Sequence, residues 1–290
     1  MAFCIYIVLV EEGYDHIIIQ QKNKKYHRFV ITDKRTKETG FVVEGVKMFL
    51  ETPTKRIREL YIEETLYKDI QNKEVSPDLI HKIEEIQDRD QPYSSGVSIE
   101  VVSTDVFKKM SDTQTPQGIL CVVENLTYSL KDNLQKHKQD GLYLILEDIQ
   151  DPGNLGTMLR AGEGAGISGV IMSDKTVDIY NPKTIRATMG SIYRVPFFYE
   201  KDLALSVQTL QKEGVLVYAA HLKGKDDYDR ANYKGPVAFM IGNEGNGLTD
   251  ALAELADAYI KIPMLGSVES LNAAIAATLL TYEAARQRRN

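Results

Sequence analysis

The sequence predicts an α/β protein in two parts, a C-terminal domain built on a parallel sheet and a smaller N-terminal α/β domain. Three observations carry that expectation. Leu142 to Leu146, Val215 to Ala220 and Val237 to Ile241 are unbroken apolar runs of strand length, as expected of parallel strands buried on both faces. Around them lie helical stretches with start and stop signals: Asn154 to Ala165, a helix opened by Asn181 with Pro182 in its first turn, and one from Asp202 to a Gly214 stop. Upstream, shorter apolar runs alternate with capped helical stretches.

In chain order, Ala2 to Val10 is an apolar run too short to span a bilayer, followed by Glu11 and Glu12 where a leader would have small residues. It is expected to be a strand in an N-terminal extension, 1–19. The next domain, 20–125, starts its regular pattern with Phe41 to Val43, then a helix through Val46, Phe49 and Leu50, then a strand from Ile57 to Ile62. Ser76 and Pro77 have the chemistry of an N-cap and first helical residue. Val97 to Val101 alternates with period two, a capped helix starts at Thr104, and Gly118 to Glu124 closes the domain as a strand. The polar stretch 126–140 is expected to be a linker, and 141–290 the second domain.

With 290 residues, 43% of them hydrophobic and 26% charged, the chain is long and apolar enough to bury a core, which excludes disordered and collagen-like classes. A net charge of −6 argues against a protein that coats nucleic acid through bulk positive charge. Residues 20–58 run against that average, with eleven basic side chains, Lys22 to Arg58, and four acidic ones. Such a surplus is either a solvated face or an RNA-contacting surface. Cys4 and Cys121 cannot build a disulfide framework, and the five histidines show no metal-ligand spacing, so no metal is expected and a reducing, cytoplasmic setting fits best.

In parallel α/β sheets the ligand crevice lies beyond the carboxyl ends of the strands. Three loops there are unusual: Glu147 to Arg160, rich in small and turn-forming residues; Gly242-Asn-Glu-Gly-Asn-Gly-Leu248; and Lys261 to Asn272. None has the G-x-G-x-x-G spacing of a dinucleotide site, and no Lys-Ser or Lys-Thr follows to make a phosphate-binding P-loop. Nicotinamide chemistry and nucleotide hydrolysis are therefore disfavoured.

Together the three loops resemble the signature motifs of the SpoU (TrmH) family of S-adenosylmethionine-dependent RNA 2′-O-ribose methyltransferases, in the SPOUT superfamily. Motif one resembles Asp151-Pro-Gly-Asn-Leu-Gly-Thr-Met-Leu-Arg160, motif two Ile241 to Leu248, and motif three Ile262 to Ala277, in the family's order. The likeness continues through Asn181 to Gly190 and Tyr282 to Gln287, while Phe41 to Lys47 and Thr115 to Leu120 are similar to the family's RNA-binding domain. Residues 1–19 depart from the family's usual opening.

The resemblance implies a trefoil knot, a homodimer, an RNA substrate, most naturally 23S ribosomal RNA, and S-adenosylmethionine as cofactor. Transfer RNA, or a non-catalytic RNA-binding role, are the alternatives; the second should have lost Arg160 or Asn272, and both are present. By resemblance, Gly242, Ile262 and Leu271 frame the cofactor, while Asn154, Arg160, Glu244, Ser270 and Asn272 surround the reacting centre. Considered only as local structure, Gly242 is a tight turn, Ile262 and Leu271 are core aliphatics, Asn154, Ser270 and Asn272 are helix caps, and Glu244 and Arg160 are solvated charges.

Overall fold

The computed structural model describes residues 6–9, 17–21, 24–29 and 98 as backbone and 40–87, 97 and 99–289 in full. Cys4 and four of the basic residues read in the N-terminal segment, Lys22, Lys34, Arg35 and Lys37, lie outside the described residues. The chain divides into two compact units, Met1–Leu126 and Thr127–Asn290.

In the first unit, β1 (Tyr6–Leu9), β2 (Ile17–Gln21) and β3 (Lys24–Phe29) form an antiparallel sheet. A second sheet has the order β4-β7-β5-β6, from β4 (Gly40–Glu44), β5 (Ile57–Glu63), β6 (Ser98–Val102) and β7 (Ile119–Glu124). Central β7 runs antiparallel to β4 and β5, whereas β5 and β6 are parallel. The helices are α1 (Val46–Glu51), α2 (Glu64–Gln71), α3 (Pro77–Gln87) and α4 (Thr104–Met110). Val106, Phe107 and Met110 of α4 pack on Tyr61, Leu120 and Val122 of the sheet. Sequence reasoning had no helix at α2, although Leu66, Tyr67 and Ile70 stand on one face of it; at eight residues it is too short for that spacing to repeat.

The second unit is a seven-stranded sheet of order β10-β9-β8-β13-β11-β14-β12 in which every neighbouring pair is parallel. Its strands are β8 (Leu142–Leu146), β9 (Gly169–Ser173), β10 (Phe197–Glu200), β11 (Leu216–Ala220), β12 (Asp226–Asp227), β13 (Val237–Ile241) and β14 (Ala258–Lys261). β8 and β13, two of the unbroken apolar runs read from sequence, are neighbours at the centre, and all ten of their residues are buried.

The stretch 126–140 differs from the linker expected there. Ser129 accepts a hydrogen bond from Asp132 N as the cap of α5 (Leu130–Lys136), and Leu134 is buried in the core with Tyr143 and Ile171. With one buried residue in seven, its composition reads as polar although it is packed. The remaining helices are α6 (Pro152–Ala165), α7 (Pro182–Thr188), α8 (Leu203–Lys212), α9 (Asp250–Ala253) and α10 (Ala273–Arg288). α10 packs on α6 and reaches β13 and β8, which carries the end of the chain back over its middle. No helix of the described residues is long and apolar enough to cross a membrane.

Candidate active site

Because β8 and β13 are adjacent, the loops leaving their carboxyl ends meet, and side chains from each loop lock the other. Glu147 accepts hydrogen bonds from Thr249 N at 2.8 Å and Thr249 Oγ1 at 2.7 Å. Asn243 Nδ2 donates to Asp148 O at 2.8 Å, and Asp148 holds a left-handed backbone, φ 55°, while its carboxylate accepts from Ser173 Oγ. Asp151 caps α6 through Asn154 N at 2.8 Å, with Pro152 as the first helical residue. This corrects the capping assignment made for Asn154: the helix starts two residues earlier, and the Asn154 side chain is left for another task.

That task is to join the three motifs. Asn154 Nδ2 donates to Glu244 Oε1 at 2.9 Å, and Asn154 Oδ1 accepts from Asn272 Nδ2 at 3.0 Å. Glu244 also accepts from the backbone N–H of Gln150 and of Asp151, each at 3.1 Å. Its carboxylate is thus the anchor of the first motif loop and not a solvated charge between glycines. Burial works to raise its pKa, but the donors from Asn154, Gln150 and Asp151 outweigh burial and hold it below the usual value. Asn272 caps α10, its Oδ1 accepting from Ala274 N at 2.9 Å and Ile275 N at 3.3 Å. Ser270, two residues earlier, is exposed and takes no part in that cap.

Beside this relay lies a cavity of about 340 Å³, and Gly242, Ile262 and Leu271, the three residues expected to frame a cofactor, all line it. Glu244 and Ser270 are on the same wall; Asn154, Arg160 and Asn272 are not among its lining residues. Gly242 is required for close backbone approach within its own loop. A Cβ there would stand 2.0 Å from Gly247 C and 2.1 Å from Leu248 N, where the loop folds back through paired hydrogen bonds between Asn243 and Gly247. The volume is within the roughly 300–1,000 Å³ of small-molecule pockets.

Two wall residues escaped the sequence reading. His221, set aside as a scattered histidine, follows β11 and lines the cavity, packed edge-on to Tyr259 with its Nδ1 accepting from Lys223 N. Its place after a buried parallel strand was the available signal. Glu269, inside the third motif, puts an exposed carboxylate on the wall. The lining thus combines aliphatic side chains and glycine main chain with the carboxylates of Glu244 and Glu269 and the side chain of Lys261.

Arg160 lies on α6, exposed and with no hydrogen bond or ion pair among the described residues. Leu155, Gly156, Met158, Leu159 and Gly162 form the buried face of that helix, as the apolar spacing predicts.

A larger cavity, about 630 Å³, opens at the opposite, amino-terminal ends of the strands and shares no residue with the motif loops. Its basic lining residues Lys136 and Arg288 end α5 and α10, where the helix dipole favours cations. Arg288 donates to the carbonyls of Tyr233, Asp140, Gly141 and Gly235, and Arg194 pairs with Glu163. These cations hold helix ends. Among the described residues no group of three or more His, Cys, Asp or Glu side chains could hold a metal ion.

Comparison with known proteins agrees with this geometry. Residues 141–282 match the model of the SpoU rRNA Methylase family, and residues 24–121 that of an MRM3-like substrate binding domain. The chain is 32% identical over 265 residues to the 23S rRNA (guanosine(2553)-2′-O)-methyltransferase RlmP of Bacillus subtilis, covering 90% of this chain and 95% of that protein. It is 33% identical to the 23S rRNA (guanosine-2′-O-)-methyltransferase RlmB of Ralstonia nicotianae over 67% of this chain and 79% of that one. Among solved structures it is similar to the SpoU methyltransferase AviRb of Streptomyces viridochromogenes in complex with AdoMet, with a TM-score of 0.74 and 26% identity over 90% of this chain and 95% of that one. It also resembles an rRNA methyltransferase of Sinorhizobium meliloti, with a TM-score of 0.72 and 30% identity over 88% and 91% of the two chains. With matching motifs, matching domains and near full-length coverage, this chain belongs to the SpoU rRNA methylase family.

Proposed function

We propose that this protein transfers a methyl group from S-adenosylmethionine to a ribose 2′-hydroxyl of RNA, with 23S ribosomal RNA as its substrate, in the cytoplasm. The observation that carries this reading is the Glu244–Asn154–Asn272 relay, which binds three motif loops together beside the cavity framed by Gly242, Ile262 and Leu271. The cavity fits the cofactor by size, by its glycine main chain and by the Glu269 carboxylate. When bound, S-adenosylmethionine supplies a sulfonium methyl that is already a good electrophile.

The chain's residues then have to align and polarise a weak nucleophile. Asn154 and Asn272, fixed by their mutual hydrogen bond, place polar groups next to the cavity without further ordering cost. Ser270 adds a hydroxyl on the wall. Arg160 does not act as the base, because guanidinium keeps its protons in proteins. Its planar fork would grip the phosphate next to the target ribose, and its fixed charge would favour loss of the hydroxyl proton to water as the oxygen takes the methyl and the sulfur departs as a neutral thioether.

A homodimer completes the assembly. Ile275, Leu279 and Tyr282 recur at i, i+4 and i+7 on α10, and Ile275 is 52% and Tyr282 45% exposed, an apolar stripe that a second copy would cover. The return of α10 across α6 and β8 supports the knotted path. In the first unit, Lys47, Lys55 and Arg58 are exposed cations in the segment of positive surplus, suited to RNA phosphates.

The test is methyl transfer from labelled S-adenosylmethionine to 23S rRNA purified from cells lacking the gene, with the modified nucleotide mapped. One 2′-O-methyl that appears in vitro and is absent from the deletion strain is expected. Transfer to tRNA alone, or to a base atom, would replace this reading.

A further inference from the structure

We propose that His221 and Lys261 form the subsite that holds the amino-acid carboxylate of S-adenosylmethionine, with Glu269 taking its ammonium group. The proposal rests on the methyltransferase reading above and assigns one part of the cofactor to residues outside the frame of Gly242, Ile262 and Leu271.

The sheet brings the two donors together. β11 and β14 run parallel in a register that pairs Tyr218 with Ala258, Ala219 with Tyr259 and Ala220 with Ile260, so the next step sets His221 and Lys261 side by side at the strand ends, about 5 Å apart. His221 N donates to Ile260 O at 2.9 Å and continues that ladder. The chain then turns back at once, Gly224 N donating to His221 O at 2.9 Å. A Cβ on Gly224 would stand 2.7 Å from Ile260 C and 2.8 Å from Lys261 N, so this turn lies directly on β14 and fixes the two residues relative to each other. Both line the cavity of about 340 Å³.

Each has an unspent donor. His221 Nδ1 accepts from Lys223 N at 3.0 Å, which leaves the proton of the neutral ring on Nε2. The ring stands edge-on to Tyr259, with centroids 5.5 Å apart, and Nε2 has no partner among the described residues. The Lys261 ammonium and the Glu269 carboxylate likewise have no hydrogen bond or ion pair among the described residues, although both line the same cavity as His221. Glu244, the other carboxylate of the wall, differs, because its oxygens already accept from Asn154, Gln150 and Asp151. A neutral donor, a cation and a free carboxylate together match a zwitterion, and the amino-acid group is the zwitterionic part of this cofactor. The subsite follows β11 and β14, whereas Glu244 and Asn154 follow β13 and β8, the next strands across the sheet. Anchoring the carboxylate there keeps the amino-acid group clear of the relay beside which the ribose enters.

The experiment is calorimetric titration of the full chain with S-adenosylhomocysteine, which carries the amino-acid group, and with 5′-methylthioadenosine, which lacks it. The readout is the ratio of the two dissociation constants, and the wild type should bind 5′-methylthioadenosine about 100-fold more weakly. His221→Phe, which keeps a ring and loses the donor, and Lys261→Met should each weaken S-adenosylhomocysteine about tenfold and leave 5′-methylthioadenosine within about twofold, so the ratio falls. Glu269→Gln should lower it about threefold, its carboxylate being the more exposed. His221→Gln, with an amide donor near the Nε2 position, should recover most of the ratio. An unchanged ratio in either His221→Phe or Lys261→Met overturns the proposal, whether both ligands weaken alike, as they would around a residue that only shaped the cavity, or neither does. A ratio near one in the wild type overturns it as well. A wild type that binds neither ligand overturns the parent reading and this one with it.

Discussion

Gly242→Ala tests whether the second motif is built on close backbone approach. The added methyl would stand 2.0 Å from Gly247 C, 2.1 Å from Leu248 N and 2.3 Å from Gly247 O, where ordinary van der Waals separation begins at 3.4 Å. The loop must therefore retreat by about 1.4 Å, which is not available as a rotamer change because every clashing atom is backbone. Retreat breaks the two hydrogen bonds between Asn243 and Gly247, at 3.1 and 2.9 Å. Overpacking costs about 1–3 kcal/mol, and each broken hydrogen bond about 0.5–1.5, so the native loop is disfavoured by roughly 3 kcal/mol. If that penalty falls on the binding-competent loop alone, S-adenosylmethionine Kd should rise on the order of 100-fold while melting is nearly unchanged. If the domain bears it, the melting temperature should fall by about 6–12 °C. Calorimetric titration and thermal melts on the same preparation separate the two cases. A variant that binds within about threefold of wild type and melts within about 2 °C would refute the claim that glycine is needed here for close approach.

Arg160→Ala should leave cofactor affinity nearly intact, since Arg160 is outside the cavity wall, and cut single-turnover transfer at saturating RNA by about two orders of magnitude, with Arg160→Lys recovering only part of the rate. Near wild-type transfer by the alanine variant would make it an ordinary surface arginine. Glu244→Gln should destabilise the protein in a pH-dependent way. The folded-state pKa lies below the usual 4.5, so the ionised carboxylate's contribution is present above that value and disappears as pH falls through the lower folded value. The gap in melting temperature between wild type and variant should be fully open at about pH 6 and narrow progressively as pH falls below the usual 4.5; a gap independent of pH would reject the charge-based account. Paired Ile275→Glu and Tyr282→Glu substitutions should give a monomer in sedimentation experiments at micromolar concentration, and a dimer that survives both would place the interface elsewhere.

How much of this was legible depended on whether the information was local. Strands β8 and β13 are readable because a parallel strand covered on both faces has no polar residue to interrupt it. The caps at Asn181 and Asp202 are readable because a cap and its N–H partner are two or three residues apart. Where two candidate caps compete at that range, local reading fails: Asp151 and Asn154 are both good caps, and only the meeting of Asn154 with Glu244 decides between them. Helix α5 was missed for a related reason, since a helix that buries Leu134 alone has too narrow an apolar stripe to be distinguished from a polar connection.

The site divides along the same line. That the three loops form one neighbourhood was legible through the motif resemblance, but which side chains are spent on holding it together was not, because that is set by hydrogen bonds between residues 90 to 118 positions apart. Glu244 and Arg160 are each a charged residue in a motif with nothing in its sequence neighbourhood to separate their roles. In three dimensions Glu244 spends its oxygens on Asn154 and two backbone N–H groups, so little of its acceptor capacity is left for a ligand. Arg160 keeps its donors free. A charge whose hydrogen bonds are consumed by the scaffold fixes geometry, whereas one held on a rigid helix with its donors unspent is available to an incoming anion.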